Sequence, residues 1–230
     1  LWGGDDKQYG KFTKAGKVSY ASLPGFDLMG KVVASSSETP FANFIKKLNA
    51  TDWVRQGHTH FAGQTDGKCP YCQQKLPVSF EDDLLKCFDA QYQEDIAAIS
   101  NFQSVYVSEM SSLVCTFESN LDDVLPGLNT DEYQAKVKNF KDAITINTQR
   151  IEAKVKEPTT VASLEDTDSL LLEIGSIIDQ MNDQIEAHNT LVGDKKNQQS
   201  KCSNLAINVM VWYPFFKVYE KSKLADEQAA

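Results

Sequence analysis

No run of about 18 apolar residues occurs in the 230-residue chain, so no segment reads as a membrane-spanning helix. Basic charge is scarce: 23 Lys and Arg stand against 32 Asp and Glu, for a formal net charge of −9 and a pI near 4.9. A general nucleic-acid surface needs clustered Lys and Arg to displace counterions, so direct nucleic-acid binding is not expected. The loops and elbows of common enzymes are missing too. No GxxxxGK loop ending in Ser or Thr is present; the closest string, Asp27-Leu28-Met29-Gly30-Lys31-Val32 with Gly25 before it, has Val32 in place of the hydroxyl that would hold Mg²⁺. There is no GxSxG elbow and no HExxH helix. No catalytic constellation remains, and the chain by itself is not expected to be an enzyme. Neither an internal repeat nor a low-complexity tract is found.

The five cysteines, at 69, 72, 87, 115 and 202, are odd in number and irregular in spacing. A secreted disulfide framework would be more regular, so a reducing, cytoplasmic setting is expected. Leu1-Trp2-Gly3-Gly4 has neither the charged start nor the apolar stretch of a signal peptide, and the chain reads as an excised segment of a larger protein.

What is present is mostly helical pattern. Residues 1 to about 40 are rich in Gly, Ser and Lys, with short strands expected at Lys17-Val18-Ser19-Tyr20 and Lys31-Val32-Val33. Thr39-Pro40 is a helix start, with Phe41, Phe44, Ile45 and Leu48 on one face, and a second short helix should hold Trp53, Val54 and Phe61. From Ser79, capped with Asp82, apolar residues recur at steps of three or four from Leu84 to Leu121, about 60 Å of helix. After a stop at Leu125-Pro126-Gly127, a second long helix carries Tyr133, Val137, Phe140, Ile144, Ile151 and Val155 and ends at Pro158. A third runs from Asp166 to about Lys201, with His188 and Asn189 near its stripe, where a polar residue can fix register. The last segment is apolar and aromatic, and Pro214 should kink or end a helix there. The expected fold is mainly α: an antiparallel helical hairpin or coiled-coil bundle with a small irregular N-terminal part carrying a CxxC turn. Three parts are expected: a base at 1–78, a helical arm at 79–204 and a return segment at 205–230.

The chemistry centres on Lys68-Cys69-Pro70-Tyr71-Cys72. Two thiols on such a turn can grip one Zn²⁺, which leaves a tetrahedral ion half satisfied. Backbone N–H groups in the turn can point at the sulfurs and lower their pKa. A metal site, a redox dithiol and an unmetallated structural turn are all open from the residues alone; a thioredoxin-like site would need a βαβ context that the pattern lacks. Within the chain the nearest complement is His58-Thr59-His60, eight residues before Cys69, able to supply both rings if it lies on a strand or loop. Its other reading is two exposed loop histidines. Cys87, Cys115 and Cys202 read as buried core thiols.

Three stretches carry a family resemblance: Asn49-Ala50-Thr51-Asp52-Trp53-Val54-Arg55-Gln56-Gly57, then Gly67 through Pro77 around the cysteine pair, then Leu84-Leu85-Lys86-Cys87-Phe88-Asp89. Met181 through Asn189 adds an asparagine-bearing helix. Together they resemble the middle region of the AAA-type, ABC/SMC-like ATPases that include the PrrC and RloC anticodon nucleases. Tyr71 stands where the more usual residue is Phe, and His58 and His60 match nothing in the family motif. The resemblance covers roughly residues 28–200 and implies that ATP is bound only by head segments outside this chain. It further implies a bacterial arm that couples head movement to a partner or effector, with Cys69 and Cys72 as structural metal ligands. In related repair ATPases a zinc hook draws two cysteines from each of two arms; here the pair precedes the first long helix and should lie at the arm's base. The implied partners are the protein's own ATPase heads and a second copy, met through the arm or the cysteine turn. The rival reading is a stand-alone helical adaptor with a structural cysteine turn.

Overall fold

The computed structural model describes residues 7–16, 19–61 and 63–228, with the side chain of Asp226 set aside. Leu1-Trp2-Gly3-Gly4, and Lys17 and Val18 of the first expected strand, lie outside the described residues. The chain is mainly helical, with α1 Pro40–Lys47, α2 Thr51–Phe61, α3 Phe80–Leu85, α4 Ala90–Ser119, α5 Asp131–Lys156 and α6 Thr167–Gln228. Among the described residues the only β pairing is an isolated antiparallel bridge between Lys68 and Lys75. The strand expected at Lys31-Val32-Val33 does not form, and Tyr20, the described end of the first, opens a 3-10 turn, Tyr20–Ser22, followed by another at Phe26–Leu28.

The described residues fall into two compact units. One is Thr13–Asp122 with Asn129–Ile178; the other comprises the described parts of Leu1–Phe12, Asp123–Leu128 and Asp179–Ala230.

In the first unit, Thr39 caps α1 by accepting from Ala42 N–H, and Pro40 sits where its missing N–H costs nothing. The long helix expected from Ser79 is broken. Ser79 makes no side-chain cap, and α3 ends at Leu85. Asp89 then starts α4, accepting from Tyr92 N–H at 2.8 Å while its other oxygen takes Ser36 N–H and the hydroxyls of Ser35 and Ser36. A cap anchored from two directions outcompetes continuation of the apolar period. α4 buries Tyr92, Ile99, Phe102, Tyr106, Met110, Leu113 and Phe117, most of the stripe legible in the sequence. Gly25, at φ 90°, lets the preceding loop lie on α4: a Cβ there would stand 2.7 Å from Ala98 O and 3.1 Å from Phe102 Cβ.

α4 and α5 form an antiparallel hairpin. Tyr133, early in α5, donates its hydroxyl to Phe117 O late in α4, and Asn147, further along α5, meets Tyr106 further back in α4. The core face of α5 runs Tyr133, Val137, Phe140, Ala143, Asn147, Ile151 and Lys154, so two polar residues occupy core positions.

In the second unit, α6 buries Met181, Ile185 and Val192. An extended N-terminal segment is pinned to it by asparagines. Asn189 Oδ1 accepts from Tyr9 N–H at 2.9 Å while its Nδ2 donates to Tyr9 O at 2.8 Å, and Asn182 does the same with Phe12. His188 packs edge-on against Tyr9, with its Nε2 3.0 Å from Lys7 O. The polar residues near this stripe therefore hold a strap.

Two expectations are corrected. Of the kink or end expected at Pro214, the end does not occur: α6 continues through it to Gln228. Proline removes the donor for Met210 O, but Met210 is 76% exposed, and water can take that carbonyl's hydrogen bond. Cys115 and Cys202 are exposed, not core thiols; only Cys87 of the three is buried. Cys115 sits two residues from both Leu113 and Phe117, on the far side of the helix from their stripe, and Cys202 lies on a stretch of α6 with no buried neighbours. No helix among the described residues is long and apolar enough to cross a membrane.

Candidate functional site

The cysteine turn is a small hairpin. Leu76 N–H donates to Gly67 O, Cys69 N–H to Gln74 O and Gln73 N–H to Cys69 O, each at 2.8 Å. Gly67 and Gln73 take left-handed φ of 72° and 60°, the first free of cost for glycine and the second a local strain that the cross-turn bonds hold. The backbone N–H of Cys72, then that of Tyr71, then the Cys72 side chain favour the charged form of the Cys69 thiol. These contacts hold the Cys69 thiol below its ordinary pKa, favouring the thiolate that binds a metal or attacks an electrophile. Cys69 is half-buried and Cys72 exposed.

Among the described residues, third and fourth metal donors do not assemble around the pair. Among the described residues no three His, Cys, Asp or Glu side chains converge to hold an ion. His58 and His60 lie on α2, where positions i and i+2 point to different sides, so the HxH spacing that would serve on a strand fails on a helix. His58 Nε2 instead meets Glu81 Oε2 at 2.6 Å, and His60 stacks edge-on against Phe61. Cys87 Sγ donates to Asp83 O and packs with Ala42 and Ile45 in a core beneath the site.

Beside the turn is an apolar groove of about 330 Å³, walled by α1, α2, α3 and the turn itself. Phe44 and Leu48 of α1, Trp53 and Phe61 of α2, and Pro70 and Tyr71 of the turn face it. Trp53 and Tyr71 stack at 5.8 Å and 27°, yet remain 60% and 70% exposed. The apolar residues that the spacing marked differ in burial: Ile45 is buried at the groove's floor, while Phe44 and Leu48 line it exposed.

The opposite side of α2 holds the end of α5. Arg55 Nη2 donates to Val155 O at 3.2 Å and Lys156 O at 2.7 Å, and Gln56 Nε2 donates to Lys156 O at 2.7 Å. Helix ends leave such carbonyls without intrahelical partners, and these side chains supply them. Asp52 Oδ2 accepts from Thr159 Oγ1 at 2.6 Å just beyond the helix. Lys154, fully buried, donates to Lys31 O at 2.5 Å, Pro158 O at 2.7 Å and Thr160 O at 2.5 Å. Burial pulls its pKa down, against the attraction of Asp52. Burial likewise pushes Tyr92 up to about 12. Asp52, Arg55 and Lys154 were not singled out by sequence reasoning as site-forming residues. The signal available for Lys154 was its place on the α5 stripe, three residues after Ile151 and seven after Asn147.

Among the described residues the arrangement thus combines a cysteine pair, an apolar groove and a hydrogen-bonded junction, and no nucleophile–base pair or phosphate cradle is seen. No curated protein and no solved structure matches the chain. A family model described as AAA domain (AAA_13) matches residues 9–226. That match takes in the groove, α1 to α5 and most of α6, and the chain belongs to this AAA-type, ATPase-like family.

Proposed function

We propose that the chain is the helical arm, with its cysteine-turn base, of a PrrC- or RloC-like ATPase, and that it works mechanically rather than catalytically. The observation that carries this reading is the junction at α2. Arg55, Gln56 and Asp52 tie the base to the end of the α4–α5 hairpin, so a displacement at the base is passed into the hairpin rather than absorbed by a loose loop. The family match without a phosphate-binding loop supports placing nucleotide chemistry in other parts of the protein. The test is ATP binding by this chain alone beside the full reading frame that includes heads. The arm reading expects binding only in the latter, with Arg55→Ala uncoupling ATP turnover from the effector while turnover itself persists. ATP hydrolysis by the isolated chain would refute it.

The same reading gives Cys69 and Cys72 to a structural Zn²⁺, which would cross-link the two ends of the turn. The sulfur-directed N–H groups of Tyr71 and Cys72 are the donor pattern that suits thiolate ligands. The remaining ligands would come from a second copy or another segment. Elemental analysis of protein purified without chelator should find about half a zinc per chain, lost together with dimers in Cys69→Ser, if two copies share the ion. Protein with no zinc and both thiols freely titratable rules the metal out.

A further inference from the structure

The cysteine turn is built for a second chemistry. We propose that Cys69 and Cys72 are a site of reversible oxidation, where a low-molecular-weight disulfide converts the two thiols into one intramolecular bond.

Placement comes first. A turn brings the α-carbons of residues i and i+3 within about 7 Å, inside the span a disulfide bridges. Here the turn is closed by Gln73 N–H on Cys69 O and by Cys69 N–H on Gln74 O, each at 2.8 Å, with Cys69 and Cys72 both held inside it. Cys69 is half-buried and Cys72 exposed, so a small disulfide reaches both sulfurs; Cys69 is assigned the first attack and Cys72 the resolving one. The other three cysteines lack this arrangement. Cys87 is buried and donates to Asp83 O, while Cys115 and Cys202 are each far from any other cysteine along their helices.

The chemistry balances with the disulfide as oxidant. Cys69 sulfur attacks one sulfur of RSSR, forming Cys69–S–SR and releasing one thiolate, which takes a proton and leaves as RSH. Cys72 sulfur then attacks Cys69 Sγ, the mixed bond breaks, and the second RS⁻ leaves with the Cys72 proton. Two electrons pass from the protein dithiol to RSSR, which leaves as two RSH. Among the described residues the base shows no βαβ setting of a disulfide oxidoreductase, and the turn is proposed as a target of oxidation rather than a catalyst of it. An oxidised pair has no thiolates to offer, so oxidation and metal binding exclude each other, but neither requires the other.

The test uses the reduced, chelated full chain equilibrated with glutathione buffers of rising oxidised fraction, then quenched with an alkylating agent and mapped by peptide mass. Cys69 and Cys72 should lose alkylation together, with the mass loss of a disulfide, at an oxidised fraction about tenfold below that which places glutathione on Cys115 or Cys202. In Cys72→Ser the reaction should halt one step earlier, with glutathione on Cys69. The proposal is overturned if both thiols remain alkylatable after Cys115 has reacted, or if the Cys72→Ser adduct spreads over the other cysteines. Zinc is measured on a separate, untreated sample, so a zinc-free chain that still closes the disulfide sinks only the metal reading.

Discussion

The side-chain amide of Asn147 pairs with both backbone groups of Glu165: Oδ1 accepts from its N–H at 2.6 Å and Nδ2 donates to its C=O at 3.0 Å. The same two-bond pairing joins Asn120 to Thr13, Asn182 to Phe12 and Asn189 to Tyr9. Four asparagines thus offer extended segments what a neighbouring β-strand would offer, from the side of a helix or its cap. Asn147 is fully buried and also reaches the Tyr106 hydroxyl at 2.9 Å. Asn147→Leu should cost about 2–3 kcal/mol in urea unfolding, because three polar groups lose their partner in the core. A cost below about 1 kcal/mol would mean that water replaces the amide.

Lys154→Met should be costlier than an average core change. The methionine fills most of the volume but leaves the carbonyls of Lys31, Pro158 and Thr160 without their shared donor. About 2–4 kcal/mol is expected, with the loop after α5 the first region to gain amide exchange. Uniform exchange changes across the hairpin would contradict that local role.

Gly25→Ala combines left-handed backbone strain with a contact at 2.7 Å to Ala98 O, a carbonyl held within α4. About 2–3 kcal/mol of destabilisation is expected in chemical denaturation. Gly10→Ala, whose Cβ meets nothing within 4 Å, is the control and should stay within about 0.5 kcal/mol.

Asp89 makes stability acid-sensitive. The Ser36 hydroxyl first, then Tyr92 N–H, with Ser36 N–H and the Ser35 hydroxyl adding to them, lower its pKa from 3.8 to about 2. A carboxyl depressed on folding contributes fully above its unfolded pKa and loses that contribution as pH falls through its folded value. The window is therefore pH 4 down to about 2. About 1 kcal/mol is at stake once solvent screening of this partly exposed group is allowed for. Asp89→Ala should be weaker at neutral pH and lose this part of the acid slope; an unchanged slope would place the acid sensitivity elsewhere.

The hairpin was legible because Tyr92 to Phe117 and Tyr133 to Ile151 keep a helical period that burial follows. Asn147 and Lys154 were not, since apolar patterning assigns polar residues outward and cannot see the carbonyls that satisfy them from other segments. The break at Asp89 was hidden for a similar reason: its strength comes from Ser35 and Ser36, more than 50 residues earlier in the chain. Tyr71 and the cysteine pair were found by motif, whereas the groove they wall needed Phe44, Leu48 and Trp53 brought in from separate helices. The histidine pair has a spacing that suits two ligands on a strand, and the segment is α2, where the two rings leave the helix on different sides.

The asparagine pairings also shape how this protein can drift in sequence. An amide that reads only N–H and C=O accepts any residue but proline opposite it, so exposed Thr13 and Glu165 can vary without a compensating change at Asn120 or Asn147. In an alignment of relatives these pairs would leave no correlated substitutions. Contact inference from covariation would pass over the bonds that hold the extended segments, and proline alone, appearing at 9, 12, 13 or 165, would betray them.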